Sequence, residues 1–137
     1  SSRSGVPAEI EVLAREHPIL FTPKIETLDE LMVSLEAGAP VCHGSNLIPT
    51  GRVDRYGLSP VQRSGGHLTI FWGVRHDLEE PAFLYQNSWG SWGEQKFPED
   101  QPAGSVWVSA RDAQRILDQG DSYAACGVGG FSPVKLN

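Results

Sequence analysis

The chain has 137 residues, of which 39% are hydrophobic and 20% are charged, and this composition excludes a disordered chain and a multidomain protein. Its net charge of −6 argues against a nucleic-acid binder, because such proteins normally carry a basic patch. No run of about 20 apolar residues is present, so the sequence predicts no membrane-spanning helix and no membrane partner.

The chain is predicted to divide near residue 26. Residues 1–26 are interpreted as a lead-in and linker, because Ser, Gly and Pro are frequent in the first eight residues and Pro18 and Pro23 interrupt the rest of the stretch. Within it, the run Ile10–Arg15 fits either a short helix or a short strand. Residues 27–137 are predicted to form the folded unit.

The first clear element is a helix over Leu28–Glu36. Thr27 and Glu30 have the spacing of a capping box, and apolar residues recur at helical intervals behind them. A strand over Ala39–Gly44 is expected next, entering the core. The stretch from Ser45 to Gly66 is rich in Gly, Pro and polar residues and is predicted to be a long loop.

The remaining sequence favours strands. Strands are predicted at His67–Val74, Ala82–Asn87 and Ser105–Val108. A helix is predicted at Ala110–Gln119, and a last strand at Ser122–Val128. This order predicts an α+β domain with two or three helices, mostly antiparallel strands and a β-barrel-like core.

The two strongest strands bring an imidazole and a carboxamide together. If they form a hairpin with its turn at residues 77–80, opposed residues have index sums of about 154 to 157. His67 then lies beside Asn87 or within a residue or two of it. A carboxamide oxygen that accepts one ring N–H fixes the tautomer and leaves the other nitrogen to act on a thiol.

Two runs carry a resemblance to a known family. Residues 65–74 read Gly-Gly-His-Leu-Thr-Ile-Phe-Trp-Gly-Val, and residues 86–93 read Gln-Asn-Ser-Trp-Gly-Ser-Trp-Gly. They resemble the G-H-A-V-x-x-V-G-Y strand and the K-N-S-W-G-x-x-W-G run of the papain-like cysteine peptidases. The resemblance extends back to residue 28 and forward to about residue 107. It covers most of the chain but only the C-terminal half of that family's catalytic domain, its β-barrel side.

The resemblance implies a role for five residues. His67 would be the catalytic general base and acid, and Asn87 would orient it. Trp89 would shield the hydrogen bond between them from water, where a lower dielectric strengthens it. Gly66 would lie against the substrate backbone, and Gly90 would allow a tight turn. One departure is visible, because only Ser91 separates Gly90 from the second tryptophan where the family usually has two residues.

The family's nucleophile has no counterpart before His67. Cys42 is predicted to be a free thiol buried in a core strand. Cys126 follows Gln119 and Gly120 in a faint echo of the family's nucleophile motif, but the 11 residues after it hold three glycines and a proline and cannot form the helix that lowers a catalytic thiol's pKa. Both cysteines are therefore interpreted as structural.

The resemblance thus implies one half of a cysteine peptidase. The cysteine is expected on an upstream N-terminal segment or a second chain, the substrate is a peptide or protein, and no metal or organic cofactor is expected. No signal peptide is visible, so a cytoplasmic or virion-associated setting is favoured. Two alternatives stay open: a non-catalytic structural or binding module of a larger assembly, and a transferase or amidase that uses the same Cys/His chemistry.

Overall fold

The computed structural model describes residues 7–94 and 101–128. In chain order its elements are α1 (Ala8–Glu16), β1 (Ile19–Phe21), α2 (Leu28–Glu36), β2 (Val41–Pro49), β3 (Val61–Arg75), β4 (Ala82–Gln86), β5 (Ser105–Ser109), α3 (Ala110–Leu117), β6 (Ser122–Ala124) and β7 (Cys126–Val128). The predicted α+β class, with helices and mostly antiparallel strands, is confirmed. The first six residues of the predicted lead-in lie outside the described ranges.

Helix α2 begins and ends at the predicted residues. The Thr27 hydroxyl accepts the backbone N–H of Glu30 at 3.2 Å, and the Glu30 carboxylate accepts the N–H of Thr27 at 3.1 Å. This reciprocal pair satisfies two of the amides that a helix start leaves without partners. The inward side of α2 buries Leu31 and Leu35. Local sequence therefore fixes the helix, and its apolar side docks it on the sheet.

Within residues 7–94 and 101–128 the main sheet has five strands, in the order β5-β4-β3-β2-β6, and all neighbouring strands are antiparallel. Helices α2 and α3 cover one face of this sheet, where their buried leucines, isoleucine and alanines pack with Val41, Phe71 and Tyr85. A smaller cluster of Ala82, Leu84 and Trp107 forms a second apolar centre.

Three sequence-based expectations are corrected. Within the described residues the sheet is open, with β5 and β6 at its edges, so the β-barrel-like core was wrong. The long loop is shorter than the predicted residues 45–66, because β2 continues to Pro49 and β3 begins at Val61 and the two pair. The single last strand is two strands, of which β6 joins the main sheet and β7 pairs with β1.

The segment before residue 27 holds a helix and a strand. The run Ile10–Arg15 is helical and belongs to α1, which buries no side chain. Strand β1 pairs antiparallel with β7, Ile19 opposite Val128 and Phe21 opposite Cys126. The three side chains of β1 are exposed. This pairing ties the lead-in to the other end of the described chain.

Candidate functional site

The predicted imidazole–carboxamide pair is present. Strands β3 and β4 place Ile70 opposite Gln86 and Phe71 opposite Tyr85, and both pairs have index sums within the predicted range. Asn87 follows β4 directly, and its Oδ1 lies 2.9 Å from Nε2 of His67. His67 is partly buried, and only 4% of Asn87 is exposed. The hairpin therefore brings together two side chains that lie 20 residues apart.

The carboxamide of Asn87 has a defined orientation. Its Oδ1 also accepts the backbone N–H of Ser88 at 2.8 Å, so the atom that faces His67 is an acceptor. An acceptor at this position requires the proton of a neutral His67 ring to sit on Nε2. Nδ1 then carries the lone pair and is the nitrogen able to take a proton from another group.

Trp89 covers the imidazole. Its ring lies 4.8 Å from the His67 ring with 23° between the two planes, which is a stacked contact. The side chain is 49% exposed, so one side of the indole contacts the histidine while the other meets solvent. Trp92 packs edge-on against Trp89 at 5.9 Å and is itself packed against the core. The pair of tryptophans supports one wall of the site.

The loop after Asn87 depends on glycine backbone. Gly90 and Gly93 have φ of 63° and 91°, a left-handed conformation that glycine adopts without strain. Gly104, at φ 80°, accepts the backbone N–H of Asn87 at 2.9 Å. A Cβ on Gly104 would overlap the carbonyl oxygen of Gly90. Gly104 was not singled out from the sequence, since its close approach depends on a segment distant along the chain.

A glutamine side chain fastens the same loop. Gln86 Nε2 donates to the carbonyl oxygens of Asn87 and Ala103, each at 3.0 Å. The segment that carries Gly104 is thereby tied to the end of β4. Together with the backbone bond to Gly104, these hydrogen bonds hold the backbone N–H and carbonyl of Asn87 in place. The carboxamide of Asn87 therefore extends from a fixed backbone position.

Gly66 lies on the exposed stretch of β3 just before His67. Among the described residues, a Cβ built on Gly66 would contact nothing within 4 Å, and the same holds for Gly65. The backbone beside the imidazole is therefore open to approach by an extended chain. Its contact with a substrate remains an expectation from the family resemblance.

Neither cysteine shares the face of His67. Cys42 lies opposite Ile70, whereas His67 lies opposite Ser45, and alternate residues of a strand point to opposite faces. Cys42 is half-buried on the side away from the helices, so its prediction as a buried core thiol was wrong. Cys126 belongs to β7 in the two-stranded sheet and packs partly against the core.

The aromatic residues that follow His67 in the sequence differ in burial. Phe71 and Trp107 are buried, and Trp92 is half-buried against the core. Trp72 and Trp89 stay exposed, at 43% and 49%. Trp72 lies on the outer side of β3, away from Phe71, because neighbouring strand residues alternate.

A buried histidine next to the site was not identified as part of it. His43 is fully buried, and its Nε2 lies 3.1 Å from Oγ1 of Thr69. Its ring packs on Phe71 at 4.3 Å and edge-on against Tyr85 at 5.2 Å. Burial, and to a lesser extent the positive charge of nearby His67, lowers the pKa of His43 to about 4. Because every second residue of a strand points to the same face, the sequence could have placed His43 on the core face with Val41.

Two further properties of the described residues bear on the site. Across residues 7–94 and 101–128, no three His, Cys, Asp or Glu side chains are grouped so that they could hold a metal ion. In the same ranges, every helix is too short or too polar to cross a membrane.

Comparisons of the chain with protein-family models, with curated proteins and with solved structures found no match.

Proposed function

We propose that this chain is the His/Asn half of a papain-like cysteine peptidase, and that a separate upstream segment or chain supplies the nucleophilic cysteine. The observation that carries the proposal is the 2.9 Å contact between His67 Nε2 and Asn87 Oδ1, which leaves Nδ1 as the basic nitrogen. The stacked Trp89 and the open backbone at Gly66 support it.

The proposed chemistry uses His67 twice. Nδ1 takes the proton of the incoming thiol, and the thiolate attacks the carbonyl carbon of the scissile peptide bond. The protonated ring then gives that proton to the leaving amine, and a thioester remains. In the second step His67 takes a proton from water, the hydroxide attacks the thioester carbonyl and releases the acid, and the displaced thiolate takes the proton back from His67. Asn87 keeps the ring oriented throughout by accepting the Nε2 proton.

The position of the cysteines supports a nucleophile from elsewhere. Cys42 points to the other face of the sheet and Cys126 lies in the other sheet. A nucleophile needs to be within hydrogen-bond reach of its base.

A second candidate function is a non-catalytic module of a larger assembly. It is favoured by the exposed apolar side chains of the N-terminal elements, Ile10 and Leu13 on α1 and Ile19, Leu20 and Phe21 on β1. A nine-residue helix and a two-stranded ribbon are each marginal in water without a partner. Catalysis requires the imidazole of His67, whereas assembly through these apolar side chains does not. Substitution of His67 therefore distinguishes the two functions.

Hydrolysis of a fluorogenic peptide mixture tests the proposal. The 137-residue chain alone is expected to be inactive, and Cys42→Ser and Cys126→Ser are expected to leave it so. The same chain produced with the coding region that precedes Ser1 is expected to show thiol-dependent hydrolysis that His67→Ala abolishes. Activity of the isolated chain that either cysteine substitution removes would overturn the proposal. An inactive complete protein would favour the assembly module.

A further inference from the structure

A cavity of about 510 Å³ lies beside the turn that joins β3 to β4. It is bounded by Tyr56 and Leu58 of the loop before β3, by residues 77–82, and by Ser109 and Ala110 where β5 passes into α3, and we call it the turn cavity. His67 lies toward the other end of β3, so the imidazole is roughly 25 Å from this turn along the strand. The turn cavity is therefore separate from the site of the proposed reaction.

Part of the lining of the turn cavity is apolar. Leu58, Leu78 and Ala82 line it, and the same three residues belong to the second apolar centre, with Leu84 and Trp107. Leu58 and Leu78 are only partly buried, so some of their apolar surface is in contact with solvent. A ligand that covers this surface gains free energy, because apolar area is removed from water.

Hydrogen bonds hold the two sides of the turn cavity in place. Arg75 donates to both carboxylate oxygens of Asp77, at 2.6 and 2.7 Å, and to the carbonyl oxygen of Tyr56 at 2.9 Å. It thereby ties the turn to the loop before β3. In that loop, Asp54 accepts the backbone N–H groups of Tyr56 and Leu58, at 2.8 and 3.0 Å. A ligand would meet a preformed site and would not have to order it.

The lining carries negative charge that has no partner in the described part of the chain. Glu79 and Glu80 are exposed, and their carboxylates form no ion pair with any described residue. The third acidic residue of the lining, Asp77, is already paired with Arg75. Among the described residues, no lysine, arginine or histidine lines the cavity. The turn cavity thus combines partly exposed apolar surface with two uncompensated carboxylates.

The charges of the surroundings narrow the choice of occupant. The guanidinium of Arg55 lies over the Tyr56 ring at 4.6 Å, and the neighbouring Asp54 balances its charge, so the two glutamates remain in excess. A second copy of the chain is disfavoured, because each copy has a net charge of −6. Within residues 7–94 and 101–128, no three side chains are grouped so that they could hold a metal ion. A ligand with both apolar groups and a positive charge fits the lining.

We propose that the turn cavity binds a lysine or arginine side chain of a peptide segment in a partner protein. The methylene groups of such a side chain cover Leu58 and Leu78, while its charged end stays at the surface and pairs with Glu79 and Glu80. The proposal goes beyond the peptidase function and does not involve His67. A result on one therefore leaves the other unaffected.

A ¹H–¹⁵N NMR titration of the full 137-residue chain tests the proposal. The probes are acetyl-Leu-Arg-Leu-amide and acetyl-Leu-Lys-Leu-amide, and both are expected to give saturable shifts at residues 78–82, 109 and 110. The control peptide has citrulline in place of arginine, which keeps the shape and removes the charge. It is expected to bind about fivefold more weakly, the effect of roughly two exposed ion pairs. Spermidine, which has charge but no peptide, is expected to bind more weakly than either probe.

The double variant Glu79→Gln/Glu80→Gln removes the two charges and keeps the side-chain shapes. It is expected to abolish the preference for arginine over citrulline. Glu9→Gln/Glu16→Gln is the matched control, because it removes two exposed carboxylates from α1, which buries no side chain, and it should leave the preference intact. The proposal would be overturned by the absence of saturable shifts at the cavity, by equal binding of the citrulline peptide, by tighter binding of spermidine, or by equal losses in the two double variants.

Discussion

The rings of His67 and Trp89 are stacked at 4.8 Å, and the same imidazole is joined to Asn87 by a hydrogen bond at its Nε2. A hydrogen bond is stronger where water is excluded, because the local dielectric is lower. We expect the indole to strengthen that bond by keeping water from it, without contributing a proton or a charge. This relationship gives the first prediction.

Trp89→Ala is expected to reduce the peptidase activity of the complete protein about tenfold, since water then competes for the His67–Asn87 bond. Stability should change little, because half of the Trp89 side chain is already in solvent. Activity and the urea midpoint of unfolding are the measurements. Trp72→Ala is the matched control, because Trp72 is exposed to a similar extent but points away from the core face. Equal losses of activity in both variants would contradict the shielding role.

His43 predicts a pH dependence of stability. Its pKa is lowered to about 4 in the folded chain, against 6.5 for an unperturbed histidine, chiefly because the ring is buried. Between these values the unfolded chain binds a proton that the folded chain excludes, so stability falls as pH decreases from 6.5 toward 4. The full loss is about 3 kcal/mol. Urea unfolding at a series of pH values measures it.

The window from pH 6.5 to 4.5 separates the effect of His43 from that of the carboxyl groups whose pKa values are lowered. The carboxyl groups of Glu30 and Asp77 also have lowered pKa values, from their backbone and Arg75 hydrogen bonds respectively, but their unperturbed values are 4.5 and 3.8. Their contributions are lost mainly below the window. His43→Phe should flatten the pH dependence there. A slope that persists in His43→Phe would refute the assignment.

Gly104 is expected to be the least replaceable glycine of the site. Gly104→Ala combines a φ of 80° with a Cβ that would overlap the Gly90 carbonyl, and should cost about 3 kcal/mol. It should also shift the resonances of the Asn87 side chain. Gly120→Ala is the control, because φ is 77° there and a Cβ would contact nothing within 4 Å in the described part of the chain, so it should cost about 1 kcal/mol. Equal costs would show that the close approach to Gly90 is unimportant.

The sequence predicted the parts of the fold that local patterns determine. The Thr27–Glu30 capping box set the start of α2, and α3 begins at the predicted Ala110. The His67–Asn87 pair was within reach because a hairpin ties register to a short turn. Each of these inferences needed only neighbouring residues or one antiparallel pairing.

The features that the sequence did not predict depend on distant segments. The Gly, Pro and polar content of residues 45–49 and 61–66 predicted a loop, yet all of these residues lie in β2 and β3, which pair with each other. The pairing of β1 with β7 joins residues more than a hundred positions apart. The burial of His43 against Phe71 and Tyr85 follows from three strands meeting. Propensity carries little information about such contacts.

Covalent labelling with a thiol-reactive peptide epoxide tests the central claim most directly. The complete protein, produced with the coding region before Ser1, would be labelled and the modified residue located by mass spectrometry. The account predicts a label on a cysteine outside this chain, with a labelling rate that falls at least about a hundredfold in His67→Ala, in line with the loss of general base catalysis. A label on Cys42 or Cys126 would contradict it, and so would a labelling rate that is the same in His67→Ala as in the unsubstituted protein.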